Sequence, residues 1–163
     1  MNARTIKSIF AAAFALYFVF IAFNNISDYA SNLAFVKGVL NMEDVFSNPA
    51  NQWRAVSWEW AVPVFYGLII VWEAGTAIML GWGAFLMFKA GQKSQKKFNA
   101  AKKWVSTGYM MSFLQWFVFF VTLAGEWFLM WQSSTWNAQS TAFSLTMITL
   151  GLLLFHHLVP EEV

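Results

Sequence analysis

Cysteine is absent from the chain and histidine occurs twice, as the adjacent pair His156 and His157. The first absence excludes disulfides, thiolate metal sites and a cysteine nucleophile together. The second bears on haem, because neighbours on one helix point about 100° apart and cannot clamp one haem between them. No Glu-x-x-His pattern is present for a di-metal carboxylate site. A phosphate-cradling glycine loop, a serine nucleophile elbow and a zincin motif are missing too. "FNNISDYASN" is rich in oxygen ligands but lacks the spacing of a calcium loop, and reads as turn and helix-cap chemistry. No cofactor or metal is expected from these residues, and nothing calls for nucleic acid.

Charge is the other scarcity. Only 11% of the 163 residues are charged, against about 25% in an ordinary soluble domain. What fills the chain instead is 59% hydrophobic and 20% aromatic residues, which is a membrane composition. A hydrocarbon core of about 30 Å takes roughly 20 helical residues. Four segments meet that length, near Ile6–Ile26, Ala61–Phe88, Trp104–Trp131 and Ser140–Leu158. The expected fold is therefore all-α: a polytopic four-helix membrane bundle forming a single membrane domain over the whole chain. The first span resembles a signal peptide, but it runs into "NNISDYASN", where cleavage after Ala30 would put Asp28 at the minus-three position. Retention is expected.

The cations are unevenly spread. The N-terminus carries Arg4 and Lys7; Lys89, Lys93, Lys96, Lys97, Lys102 and Lys103 follow the second span; and the other two connections hold only Lys37 and Arg54. By the positive-inside rule both termini and the basic connection lie in the cytoplasm. "KAGQKSQKKFNAAKK" reads as a topology signal, with recruitment of anionic lipid as the alternative. In the long first outer connection, Leu33, Val36 and Leu40, with Phe35 and Val39, recur at helical spacing and predict a short amphipathic helix between Asp28 and Asn41, broken by "NPANQ". Trp53, Trp58, Trp60, Trp131 and Trp136 fall where indole rings belong, at the outer headgroup level.

Two carboxylates lie within the spans, Glu73 in "VWEAG" and Glu126 in "AGEWF". An ionised carboxylate in hydrocarbon costs at least a few kcal/mol, so each should face protein, water or a partner. Glu73 is about 18 Å from the start of its span, near the midplane; Glu126 is about 7 to 8 Å below Trp131, within reach of the interface. At 100° per residue Gly108, Ser112, Gln115, Thr122 and Glu126 share one face of the third span, expected to point into the bundle. Tyr66, Glu73, Thr76 and Ala77 share one on the second, Ser140, Ser144 and Gly151 on the fourth, and Ala11, Ala15 and Ala22 on the first. These faces can meet around one polar seam. Hydroxyl and amide groups there serve either as helix-packing glue or as lining for a proton-accepting site on Glu73.

Two stretches, "FNNISDYASNLAFVKGVLNMEDVF" and "GEWFLMWQSSTWNAQ", with "VWEAG" between them, resemble a bacterial family of predicted small integral membrane proteins known only as a domain of unknown function. The resemblance covers essentially the whole chain and implies a four-helix inner-membrane protein with no established activity. It places Asn24, Asn25, Asp28, Asn32, Glu73, Glu126, Trp127, Trp131, Gln132, Trp136 and Asn137 on the family's motif positions. Gly38 stands where a histidine is usual, and Ala124 and Ala138 where glycines are common; the first departure weakens any metal-binding role for the outer loop. The motif positions on the two outer connections imply a folded cap in which side chains of "NNISDY" hydrogen-bond to "EWFLMWQSSTWN".

Three functions fit. The first is an accessory or scaffold subunit that lies in the lipid bilayer and docks against a larger membrane complex, or self-associates. The second is a proton-coupled transporter or permeation unit with Glu73 at its centre and Glu126 as outer gate. The third is a quinone-binding redox subunit, suggested by the aromatic content and by His156 and His157.

Overall fold

The computed structural model describes residues 2–46, 50–91 and 94–161. Lys93 of the basic connection and Asn48 and Pro49 of "NPANQ" lie outside the described residues. Five α-helices follow one another: α1 Ala3–Ser27, α2 Tyr29–Leu40, α3 Ala61–Ala90, α4 Gln95–Phe113 and α5 Gln139–Leu158. α4 continues without a break as a π-helix, Leu114–Trp127. Short 3-10 turns, Gln52–Arg54 and Met130–Gln132, sit in the connections. α1, α3, α4 with its π extension, and α5 are each long and apolar enough to cross a membrane. There is no strand among the described residues.

Local chemistry sets the helix ends. Asn2 caps α1, its Oδ1 accepting from the Thr5 amide at 3.0 Å. At Asp28 the backbone leaves the helical region (φ −113°, ψ 53°), and the chain resumes as α2 on the far side. The expected amphipathic helix is thus present, directly continuing α1. The basic connection is shorter than expected, because α4 begins at Gln95 and carries Lys96, Lys97, Lys102 and Lys103 on its first turns. Lysine, glutamine and alanine are good helix formers, and Ser94 caps the start by accepting from the Lys97 amide at 3.3 Å. The third span stops at Trp127 rather than Trp131, where Leu129 adopts a left-handed conformation (φ 55°).

α3 is the hub of the bundle. It packs along α1 on one side and α4 on the other, α5 packs on α4 and its π extension, and α1 and α5 scarcely meet. Lipid removes the hydrophobic drive between helices, so close fit has to supply the association. It does so where α3 crosses α4: a Cβ on Gly83 would lie 2.6 Å from Val105 Cγ2, and one on Gly108 would lie 2.5 Å from Leu80 Cγ. Each helix therefore contributes one glycine notch, filled by an aliphatic side chain of the other. Phe14, Phe18, Leu80, Met87, Phe98, Val105 and Tyr109 complete the core, mostly toward the basic end.

Candidate functional site

Glu73 sits midway along α3 and is 2% exposed. Asn25 Nδ2, from the last turns of α1, donates to Oε2 at 2.6 Å. Gln115 Nε2, from the first turn of the π extension, donates to Oε1 at 2.9 Å. Tyr66, two turns earlier on α3, donates through its hydroxyl to the Asn25 carbonyl at 2.7 Å and lies 3.3 Å from Asn25 Oδ1. Three helices thus converge on one carboxyl group. Its neighbours are dipoles rather than a cation, since the ion pairs among the described residues both lie at the basic end. Two charge-assisted hydrogen bonds are what make the buried group tolerable.

The clamp has an idle atom. Gln115 Oε1 is buried and has no hydrogen-bond partner. A half-turn of that amide would present Oε1 to Glu73, and a protonated carboxyl could donate to it. The same two side chains can therefore serve both protonation states of Glu73.

The polar stripe predicted on the third span holds for Gly108, Ser112 and Gln115, which are buried, and fails for Thr122 and Glu126, which are exposed. The reason is the π-helix. Its i→i+5 bonding puts more residues into each turn than the 3.6 of an α-helix, so a 100° step over-rotates every position beyond Phe113. Thr122 shows the wider turn directly, its hydroxyl donating to the Phe117 carbonyl at 2.9 Å. Glu126 consequently faces outward beneath Trp131 instead of entering the seam. On α5 the structure also departs from expectation. Ser140, Ser144 and Gly151 are exposed, and Ala142, Thr146, Thr149 and His156 face inward. A helical hydroxyl has no need of the bundle, because it can bond its own preceding turn; Ser144 donates to the Ser140 carbonyl at 2.9 Å. α4 and α5 are joined in the seam by Ser112 Oγ and Thr149 Oγ1 at 2.8 Å. Thr76 is fully buried and donates to the Trp72 carbonyl at 2.9 Å.

The cap at the aromatic end is built differently from the expected one. Asp44 ties it, with Oδ2 accepting from the Ser134 amide (2.9 Å), the Ser134 hydroxyl (2.8 Å), the Thr135 amide (3.1 Å) and the Ser133 hydroxyl (3.2 Å). Hydrogen bonds from Ser134 and then Thr135 hold its carboxyl down at about 2. Met42 and Asp44 both have positive φ, 54° and 59°, in the turn that delivers this carboxylate. Gln132 accepts from the Phe46 amide at 3.1 Å, and Asn137 donates to the Trp131 carbonyl at 3.2 Å. The Trp136 indole lies on Gly38, where an added Cβ would come within 2.5 Å of it. A histidine at position 38 would collide with that ring. "NNISDY" does not make these ties: the Asn24 carbonyl accepts from the Asp28 amide within the α1–α2 junction and Asn25 belongs to Glu73, while Asn32, beyond that stretch, donates to the Asp28 carbonyl. Trp127 stacks edge-on against Trp53 and under the Arg54 guanidinium, and Trp131 meets Phe46.

These features span the region over which the chain matches a family model, residues 3–159, described as "Predicted small integral membrane protein (DUF2165)". The chain belongs to this family. It is an integral membrane protein with four apolar helices. Comparisons with curated proteins and with solved structures found no match.

One further cluster in this DUF2165 chain escaped the sequence reading. Arg4 and Lys7, read from the sequence as topology signals, are each 1% exposed. Lys7 Nζ donates to Glu161 Oε1 and to the Val159 carbonyl, both at 2.6 Å, and Lys102 reaches the same carboxylate oxygen at 2.6 Å. Gln95 adds a donor to Oε2 at 3.1 Å. Burial pushes the Glu161 carboxyl up, but the Lys102, Lys7 and Gln95 bonds outweigh it and hold the group at about 2. The Arg4 guanidinium donates to the Gly91 carbonyl at 3.2 Å and to Gln95, and lies over the Phe98 ring. The tail beyond α5 thereby latches α1 to α4. His156 is buried edge-on against Tyr109, and His157 Nε2 meets Ser106 Oγ at 2.9 Å. Protein groups thus already engage both imidazoles invoked for a quinone.

Proposed function

We propose that this family member is a non-catalytic subunit of the bacterial inner membrane, with both termini cytoplasmic, that docks laterally against a transmembrane helix of a larger complex. The observation that carries this reading is the open seam between α1 and α5. The two helices meet where the Phe10 and Phe155 rings lie 5.4 Å apart, and beside that contact they leave an apolar groove of about 290 Å³ walled by Phe10, Ala13, Phe14 and Tyr17 on one side and Leu145, Ile148 and Leu152 on the other. Ala13 is exposed in that groove, and a small residue there lets a partner backbone approach closely. Glu73, in turn, serves in this reading as an interhelical tie. Ala13→Trp fills the groove without touching the carboxyl cluster. Native membranes extracted in mild detergent should yield the protein with a partner, and the A13W form without it. Recovery of the unsubstituted protein solely as a monomer or homo-oligomer counts against the proposal.

A second reading rests on the idle Gln115 oxygen, which lets the clamp hold Glu73 either charged or protonated. In this reading the protein couples a proton at Glu73 to movement of a solute. Liposomes containing the protein should then show a proton or solute flux that Glu73→Gln abolishes; absence of such a flux ends it.

A further inference from the structure

The basic end carries a second groove, of about 470 Å³, lined by Asn99, Lys102, Lys103 and Ser106 of α4 and by His157 of α5. The four α4 residues are spaced i, i+3, i+4 and i+7, so one face of the helix presents an amide, two ammonium groups and a hydroxyl toward the same space. Ser106 is already oriented: its hydroxyl donates to the Lys102 carbonyl at 2.9 Å and its oxygen meets His157 Nε2 at 2.9 Å. Charge is in excess here. Glu161 is shared between Lys102 and Lys7, and among the described residues no carboxylate pairs with Lys103. The depth is also defined. The groove lies where the lysine-bearing turns of α4 give way to its apolar stretch, beside Trp104, which is exposed as an interfacial indole is.

We propose that this groove is a binding site for the phosphate of an anionic phospholipid, its headgroup held by the Lys103 ammonium and the Asn99 amide against the wall that the bonded Ser106–His157 pair forms, and its acyl chains running along the apolar outer faces of α4 and α5. Donors without a carboxylate among them suit phosphate oxygens. The position at headgroup level favours a lipid over a soluble anion, and basic pockets between helices on the cytoplasmic side are where anionic headgroups settle.

The test uses the full-length protein in zwitterionic detergent, titrated with short-chain phosphatidylglycerol, phosphatidylcholine or inorganic phosphate, with native mass spectrometry counting bound lipid. Saturable binding of one phosphatidylglycerol is expected, weakened about fivefold by Lys103→Gln and further by K103Q with His157→Gln. Both residues are exposed, so neither change disturbs the core. Lys96→Gln with Lys97→Gln removes two charges from the same helix outside the groove and should leave binding unchanged. Loss of affinity in that control equal to the loss in K103Q would overturn the site in favour of diffuse attraction. Equal binding of phosphatidylcholine would overturn it as well, and so would displacement of the lipid by equimolar inorganic phosphate.

Discussion

Asn25 and Glu73, on different helices and 48 positions apart, are joined by a 2.6 Å hydrogen bond from the amide Nδ2 to the carboxylate Oε2. The bond does more than satisfy a buried carboxyl oxygen. Because the Tyr66 hydroxyl is fixed to the Asn25 carbonyl, the end of α1 is held to α3 at two successive points. Gln115 carries the same tie across to the π extension of α4.

The strength of that tie is measurable. Bonds to charged groups contribute about 1.5–3 kcal/mol in water-soluble proteins, whereas interhelical bonds in membranes average about 0.6 kcal/mol because the unfolded state also finds partners. A carboxylate with only amide neighbours belongs toward the upper end of the membrane range. A double-mutant cycle of Asn25→Leu and Glu73→Leu, followed by denaturation in mixed micelles, should give a coupling of about 1–2 kcal/mol. Additive single effects would mean that the two side chains do not interact.

Glycines test the packing against propensity. Gly83 and Gly108 are notches filled by Val105 and Leu80, while Gly67 and Gly151 have no heavy atom within 4 Å of an added Cβ. The same change to alanine should therefore have opposite signs. Gly83→Ala is expected to destabilise by about 1–3 kcal/mol through overpacking. Gly151→Ala is expected to be neutral, or stabilising by up to about 1 kcal/mol, from helix propensity. Thermal unfolding in one detergent compares the pair, and equal shifts would contradict the close α3–α4 approach.

The spans and two of the four inward faces were legible because length and 3.6-residue periodicity act locally. Tyr66, Glu73, Thr76 and Ala77 are all buried on α3, as are Ala11, Ala15 and Ala22 on α1. Legibility ended where the period changed, at Leu114, and Thr122 and Glu126 rotated away with it. It also ended where polarity has a local solution, as at Ser144, since a hydroxyl satisfied by its own helix says nothing about the bundle. Asp44 and Glu161 were missed for a different reason. Their partners stand 59 to 154 positions away, and no spacing rule links a loop carboxylate to a distant Ser-Ser-Thr or to two lysines. Lys7 carried no signal of its latch, because a cation near the start of a first span is already accounted for as a topology signal.

Asp44 makes the cap acid-sensitive in a defined window. Its folded carboxyl is held at about 2 against an ordinary value of 3.8. A depressed folded value means that the contribution is fully present above the unfolded value and is lost as pH falls through the folded one. The cap should hold above about pH 4 and loosen toward about pH 2. In micelles, the amide proton shifts of Ser134 and Thr135 should titrate together with a midpoint near the lower value, and should stay flat in Asp44→Asn. A common midpoint near 4 would show that these amides do not bind the carboxylate.

The tail latch gives an asymmetric prediction. Lys7 and Glu161 have side-chain exposures of 0% and 5%, and Lys102 shares the same oxygen. Glu161→Gln removes the negative charge and leaves the buried Lys7 ammonium only neutral oxygen acceptors, the Val159 carbonyl and the amide at 161, and removing the charged partner of a buried pair costs about 3–5 kcal/mol. Lys7→Met instead removes the deeper cation, leaves Glu161 paired with Lys102, and fills the same space with an apolar chain. That exchange is often neutral. The expected order of stability is therefore unsubstituted protein close to K7M, with E161Q well below both. Proteolysis of the tail beyond α5 reads the same order kinetically, since a released latch exposes Val159 and Pro160 to cleavage. If E161Q is as stable and as resistant as K7M, the three-way contact does not hold the termini together.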